Sequence, residues 1–259
     1  MKIVALVVVL LAVFGVAAAS ATGRGEPGRP AAVLARGELR VCSTGDYRPF
    51  TYRDPAGRWS GIDVDLAGDL AHRLGVRPTL VQTTWAQLAH DVGSRCDLAM
   101  GGISVTAERA RLATYSTSYQ RDGKTPITRC ADVARFGTPE QIDRPEVRVV
   151  VNPGGTNEKY VRTQLRRATV VPYPDNNTIF GELLAGRADL MITDASETRW
   201  QARQHPQLCA VHPDHPFTDD EKAYLLPRNP GPLLDYVNGW LRAIREDGTY
   251  AAVTQRWFG

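Results

Sequence analysis

The stretch "VRVVVNPGGTNEKY" (147–160) runs from an apolar, β-branched segment through a Pro-Gly-Gly turn into a polar segment that reads as the start of a helix near Asn157. It opens a series that continues with the strand-like "TVVPY" (169–173), a helix through "TIFGELLAG", the strand-like "ADLMITD" (188–194) and a helix over "SETRWQARQ". An earlier part of the chain has the same layout: "LRVCST" (39–44), then "IDVDLAGDLAHRLG", with Leu66, Ala67, Leu70, Ala71 and Leu74 at helical spacing and Gly75 as a stop, "PTLVQT" (78–83), a helix near 85–92, and "CDLAMGG" (96–102). Each series has the β-α-β-α-β rhythm of a parallel sheet, and two such series predict two α/β lobes rather than one continuous sheet. The tail, "GPLLDYVNGWLRAIREDGTYAAVTQRWFG", reads as two amphipathic helices broken at Gly248. They need a sheet to cover and are assigned to the first lobe, so the chain crosses between lobes twice, near 124–130 and 213–222.

The amino terminus carries Lys2, an apolar run from Ile3 to Ala19 and the small residues Ala19-Ser20-Ala21, the layout of a cleaved signal peptide. The expected organisation is a signal peptide over 1–21, a flexible Gly/Pro-rich leader over 22–36, the first part of lobe one over 37–126, lobe two over 127–218, and the rest of lobe one over 219–259. The first cysteine is Cys42, so no lipid acceptor stands near the cleavage point, and a free periplasmic or secreted protein without stable membrane insertion is implied. A net charge of +3, or +2 once Lys2 leaves, gives no footing for nucleic-acid binding. The oligomeric state stays open, a homo-oligomer included.

Four cysteines in an exported chain favour disulfides over thiols, and their spacing is not that of a zinc site. On the two-lobe topology Cys42 and Cys96 lie on neighbouring strands and Cys130 and Cys209 near the crossings, which predicts the pairs Cys42–Cys96 and Cys130–Cys209.

In open α/β sheets ligands bind beyond the carboxyl ends of the strands, and both lobes would present those ends to one cleft. Asp46 and Tyr47 follow the first strand, where a plain turn on Gly45-Asp46 is the other reading. Ser104 and Thr106 can cap a helix whose first turn holds Arg109; a cation there fits a bound carboxylate, with the Thr106 hydroxyl and free N–H groups completing a clamp. Thr156, as the N-cap after the glycine turn, and Asn157 offer donors to a second anionic or polar group, without the spacing of a phosphate loop. Lys124 lies beside the first crossing. Asp194 and Glu197 read equally well as a near capping box, Glu197 reaching back to the cap, or as ligand-facing groups.

"GIDVDLAGDLA", "DLAMGGISVTAER" and "DGTYAAVTQRWFG" resemble the type II periplasmic solute-binding proteins that deliver polar amino acids to transporters. "TGDYRPFTYR", "RDGKTPITRC", "VNPGGTNEKYVR", "PDNNTIFGELLAGRADLMITDASE", "PQLCAVHP" and "EKAYLLPR" resemble, more narrowly, the cyclohexadienyl dehydratases built on that receptor fold. Cys130 and Cys209 fall within matching segments; Cys42 and Cys96 look like an addition. The resemblance implies a two-lobed fold of mainly parallel sheets with a double crossover, and a lyase with no cofactor or metal. That lyase converts prephenate to phenylpyruvate, and arogenate to phenylalanine, by losing carbon dioxide and water. It also implies Arg109 on the ligand's side-chain carboxylate, with Ser104 and Thr106, Asp194 at the position that holds an ammonium group, and Glu197 as general acid. Lys124 and the Thr156-Asn157 helix start become candidates for the ring carboxylate or the hydroxyl region, and Trp85 either walls the ring or belongs to the core. The competing expectation is a non-catalytic amino-acid receptor.

Overall fold

The computed structural model describes residues 30–258. The segment expected to direct export, most of the leader, and Gly259 lie outside the described residues. The end of the expected leader is ordered: Ala31–Arg36 form a short helix closed by Gly37 in the left-handed region (φ 65°), and Val33 is buried in the first lobe's core. The apolar Val33 and Leu34, embedded in a Gly/Pro/Arg-rich context, were too few to register as a helical pattern.

The first lobe's sheet has the strand order Arg77–Gln82, Glu38–Ser43, Leu98–Ala99, Leu225–Leu226, Thr114–Tyr115. Its first three strands are parallel and Leu225–Leu226 runs antiparallel to both neighbours. The second lobe repeats the plan with Thr169–Pro172, Arg148–Val151 and Leu190–Asp194 in parallel, then Lys124–Arg129 and Leu208–Ala210 added antiparallel. Two antiparallel segments, Gln120–Asp122 and Asp220–Lys222, pair as the ribbon that joins the lobes. The first crossing therefore ends earlier than expected. Lys124 already belongs to the second lobe, directly opposite Asp194 in the register, and the lobe boundaries fall near 122 and 220 rather than at 126 and 218. Pro126 hid this strand, because proline cannot donate to a ladder and demotes a run that contains it.

Helix Ile62–Leu74 buries the five positions that its spacing marked, and Gly75 ends it at φ 75°. Helix Pro232–Glu246 buries Leu233, Val237, Trp240, Leu241 and Ile244 in the same core as Leu39 and Val41, so the tail does return to lobe one. At about 1.5–3 kcal/mol per buried large apolar side chain, this packing is what holds the C-terminal segment to a sheet formed mostly by the first hundred residues. In lobe two the pleat sends Val149 and Val151 to one core and Val150 to the other, as expected of a strand covered on both faces.

Both expected disulfides are present, Cys42–Cys96 and Cys130–Cys209, and each closes within one lobe. Cys42 and Cys96 have no exposed surface, whereas Cys130 is exposed. Thiol exchange requires access to sulfur, so increasing dithiothreitol should open Cys130–Cys209 first. Alkylation and mass mapping check this, and prior loss of Cys42–Cys96 would contradict it.

Candidate functional site

The carboxyl ends of both sheets face a small cavity between the lobes, closed down to about 20 Å³. Lobe one contributes Tyr47, Trp85, Ser104 and Arg109 to its wall, and lobe two contributes Thr156, Asn157 and Asp194. Lys124 and Glu197 stand directly behind the wall. Thr106 lies outside it, capping the four-residue helix Ala107–Ala110 by accepting from the Arg109 N–H at 3.2 Å. Asp46 is also outside; its carboxylate accepts from the Trp85 indole N–H at 3.1 Å, and burial raises its pKa. Trp85 is thus fixed as a wall of the cavity, with the Arg109 guanidinium over its ring and Tyr47 edge-on at 5.5 Å. Gly102 supplies the close approach beneath them: it sits at φ 63°, and a Cβ there would meet the Tyr47 and Phe50 rings at 2.6 Å.

Asp194 is the hub. Its two oxygens accept separately from Lys124 Nζ at 2.6 Å and Lys222 Nζ at 2.5 Å, and the Tyr47 hydroxyl also donates to it. Lys124 is 2% exposed, Lys222 0% and Asp194 2%. Burial alone would raise the Asp194 pKa, but the two ammonium charges overcome it and hold the carboxylate well below its ordinary range. Lys124 donates further to Thr156 Oγ1 (3.0 Å) and Asn157 Oδ1 (2.6 Å), and Lys222 to Ser104 Oγ (2.9 Å).

Glu197 has no exposed surface. Burial, then the negative charges of Asp194 and Asp46, push its pKa up to about 8 against the lowering effect of its Thr193 hydrogen bond. Thr193 Oγ1 donates to Glu197 Oε2 at 2.6 Å and accepts from Asn157 Nδ2 at 2.8 Å, and Asn157 Oδ1 accepts from Lys124. Lysine only donates, so it fixes the direction of this whole chain. Oε2 is then an acceptor, and the proton of neutral Glu197 belongs on Oε1, beside Asn176 Nδ2 at 3.3 Å.

Neither carboxylate caps a helix through its side chain. Asp194 precedes helix Ala195–Gln204 without a capping bond, because the lysines claim its oxygens. Thr156 is likewise not an N-cap: Gly155 holds that position, and Thr156 is the first helical residue, turned to Lys124. The sequence reading missed Lys222, Asn176 and Thr193. By sequence Lys222 is one more charge beside the second crossing, and nothing in one sequence distinguishes a solvated lysine from one sealed by a carboxylate on another lobe. Asn176, in "PDNNT", reads as a turn residue. Among the described residues no cluster of His, Cys, Asp and Glu is suited to a metal, and no helix is long and apolar enough to cross a membrane.

Residues 39–259 match the family model of bacterial extracellular solute-binding proteins, family 3, and the chain belongs to that family. Within it, the chain is 49% identical over 240 residues to the cyclohexadienyl dehydratase of Pseudomonas aeruginosa, covering 92% of this chain and 89% of that protein. The L-cystine-binding protein TcyJ of Escherichia coli is 28% identical, covering 88% of this chain and 85% of its own length. Among solved structures, an ancestral amino acid-binding protein, a precursor of cyclohexadienyl dehydratase, superimposes with TM-score 0.82 at 31% identity, covering 88% of this chain and 99% of that one. An ancestral cyclohexadienyl dehydratase does so with TM-score 0.55 at 47% identity, covering 88% and 95%.

Proposed function

We propose that the chain is an exported cyclohexadienyl dehydratase that converts prephenate to phenylpyruvate, and arogenate to phenylalanine, with Glu197 as general acid. The observation that carries this reading is the fully buried Glu197, which keeps its proton at neutral pH one side chain behind the cavity wall. A receptor that only closes on an amino acid has no use for such a group. Both oxygens of Asp194 are engaged by lysines, so the expected role of holding a ligand's ammonium, on which an amino-acid receptor depends, is not free to it here.

The mechanism follows from the charges. Arg109, with Ser104 beside it, takes the side-chain carboxylate in the bidentate manner open to a guanidinium; Thr156 and Asn157 face the ring carboxylate, with Lys124 behind them, its ammonium shared among Asp194, Thr156 and Asn157. Thr106 steadies the Arg109 backbone rather than touching substrate. The Glu197 Oε1 proton moves to the ring hydroxyl, the carbon–oxygen bond breaks with its electrons leaving on water, and the bond to the ring carboxylate supplies the electron pair that completes the aromatic ring as carbon dioxide departs. Glu197 is left as the carboxylate and is reprotonated from solvent. The lobes' closure excludes water and keeps the acid's pKa high. Removal of the amino-terminal segment on export, to the periplasm or medium, completes the proposal.

The test is to incubate the purified protein with prephenate and follow phenylpyruvate. Absence of product, together with calorimetric binding of a polar amino acid, would establish the receptor instead. A pH dependence follows as well. Below pH about 8 Glu197 is protonated and competent; above it the proton is lost and kcat/KM should fall tenfold per pH unit. A profile flat through pH 9 would exclude Glu197 as the donor.

A further inference from the structure

Resting on the dehydratase reading, we infer that Asn176 is a further catalytic residue, whose side-chain carbonyl accepts the proton of the leaving hydroxyl and thereby turns that oxygen's lone pair toward Glu197.

Asn176 lines the cavity and is 3% exposed. Its amide orientation is settled by the opposite lobe: Nδ2 donates to the Asp46 backbone carbonyl at 2.7 Å, and a carbonyl can only accept. The same Nδ2 lies 3.3 Å from Glu197 Oε1. Oδ1 is left buried with no hydrogen-bond partner. Buried polar atoms are paired in the great majority of cases, so an orphaned acceptor in a ligand cavity marks a place where a ligand donor belongs. Prephenate as a dianion has one donor, its ring hydroxyl. A carboxylate would be repelled by Oδ1, which keeps the two anionic groups on the Arg109 and Lys124 sides of the cavity.

The chemistry needs this arrangement. A hydroxyl has one proton and two lone pairs, and protonation requires a lone pair facing the acid. With its own proton committed to Oδ1, the hydroxyl presents a lone pair toward Oε1–H, which lies behind the wall on the Asn176 side, 3.3 Å from Nδ2, and must come forward to the substrate past that side chain. Asn176 would thus orient the leaving group as the acid approaches it, without itself exchanging a proton.

The experiment compares Asn176→Ala with the wild-type chain in two measurements: steady-state turnover of prephenate across pH, and inhibition by phenylpyruvate, which has no ring hydroxyl. The expected result is a fall in kcat/KM of roughly tenfold or more, with the phenylpyruvate inhibition constant within about twofold and the alkaline limb of the profile in place. Three results would each overturn the inference: turnover within about threefold of wild type, inhibition weakened in parallel, or a loss explained by a displaced alkaline limb, which would make Asn176 only a support for Glu197. Unchanged phenylpyruvate binding doubles as the control for folding, and Asn176→Ser serves the same comparison should the alanine variant fail to fold. A wild-type chain that makes no phenylpyruvate sinks the dehydratase reading itself, before Asn176 is at issue.

Discussion

Glu197→Gln should give a folded protein that binds prephenate with little change and forms almost no phenylpyruvate, with kcat lower by about 10²- to 10⁴-fold, the usual contribution of a positioned general acid. The substitution is unusually clean at this position. Glu197 is neutral at pH 7, so glutamine preserves charge as well as shape, and its carbonyl can still accept from Thr193. What disappears is the transferable proton. KM should therefore stay within a few fold while kcat collapses, and the alkaline limb near pH 8 should vanish from whatever activity survives. Stopped assays for phenylpyruvate, with calorimetry for binding, measure both halves; turnover near the wild-type rate would remove Glu197 from the mechanism.

The largest effect on stability is expected from Asp194→Ala. That change leaves two ammonium groups, on Lys124 and Lys222, without their carboxylate in a region where neither has more than 2% of its surface exposed. Breaking a buried ion pair from one side costs about 3–5 kcal/mol, and for a chain of this size that is a fall in melting temperature of roughly 10 °C. Because Lys124 belongs to the second lobe and Lys222 to the ribbon that joins the lobes, the loss should also loosen the closed arrangement. Calorimetric melting checks it, and a variant that melts within about 2 °C of the parent would mean that the lysines find other partners.

Much of the architecture was legible because burial leaves periodic marks. Leu66, Leu70 and Leu74 announced their helix, and the repetition of one strand-and-helix series announced two lobes; that topology in turn gave both disulfides. Elements without such marks stayed hidden. The meander of Asp46–Tyr47, Thr51–Arg53 and Trp59–Ser60 consists of strands of two or three residues, too short for any alternation to show. The location of the cavity was legible where residue type and strand end coincide, as at Arg109 and Asp194, both in its wall. The site was illegible at Lys222 and Asn176, whose roles arise only when segments far apart in sequence close on one another: the Asn176 amide is fixed by a carbonyl 130 positions away.

The two disulfides each begin and end inside a single lobe. The two lobes are joined by a two-stranded ribbon, and no disulfide spans the mouth of the cleft. Each cross-link therefore stiffens its own lobe and leaves the distance between the lobes to non-covalent contacts alone.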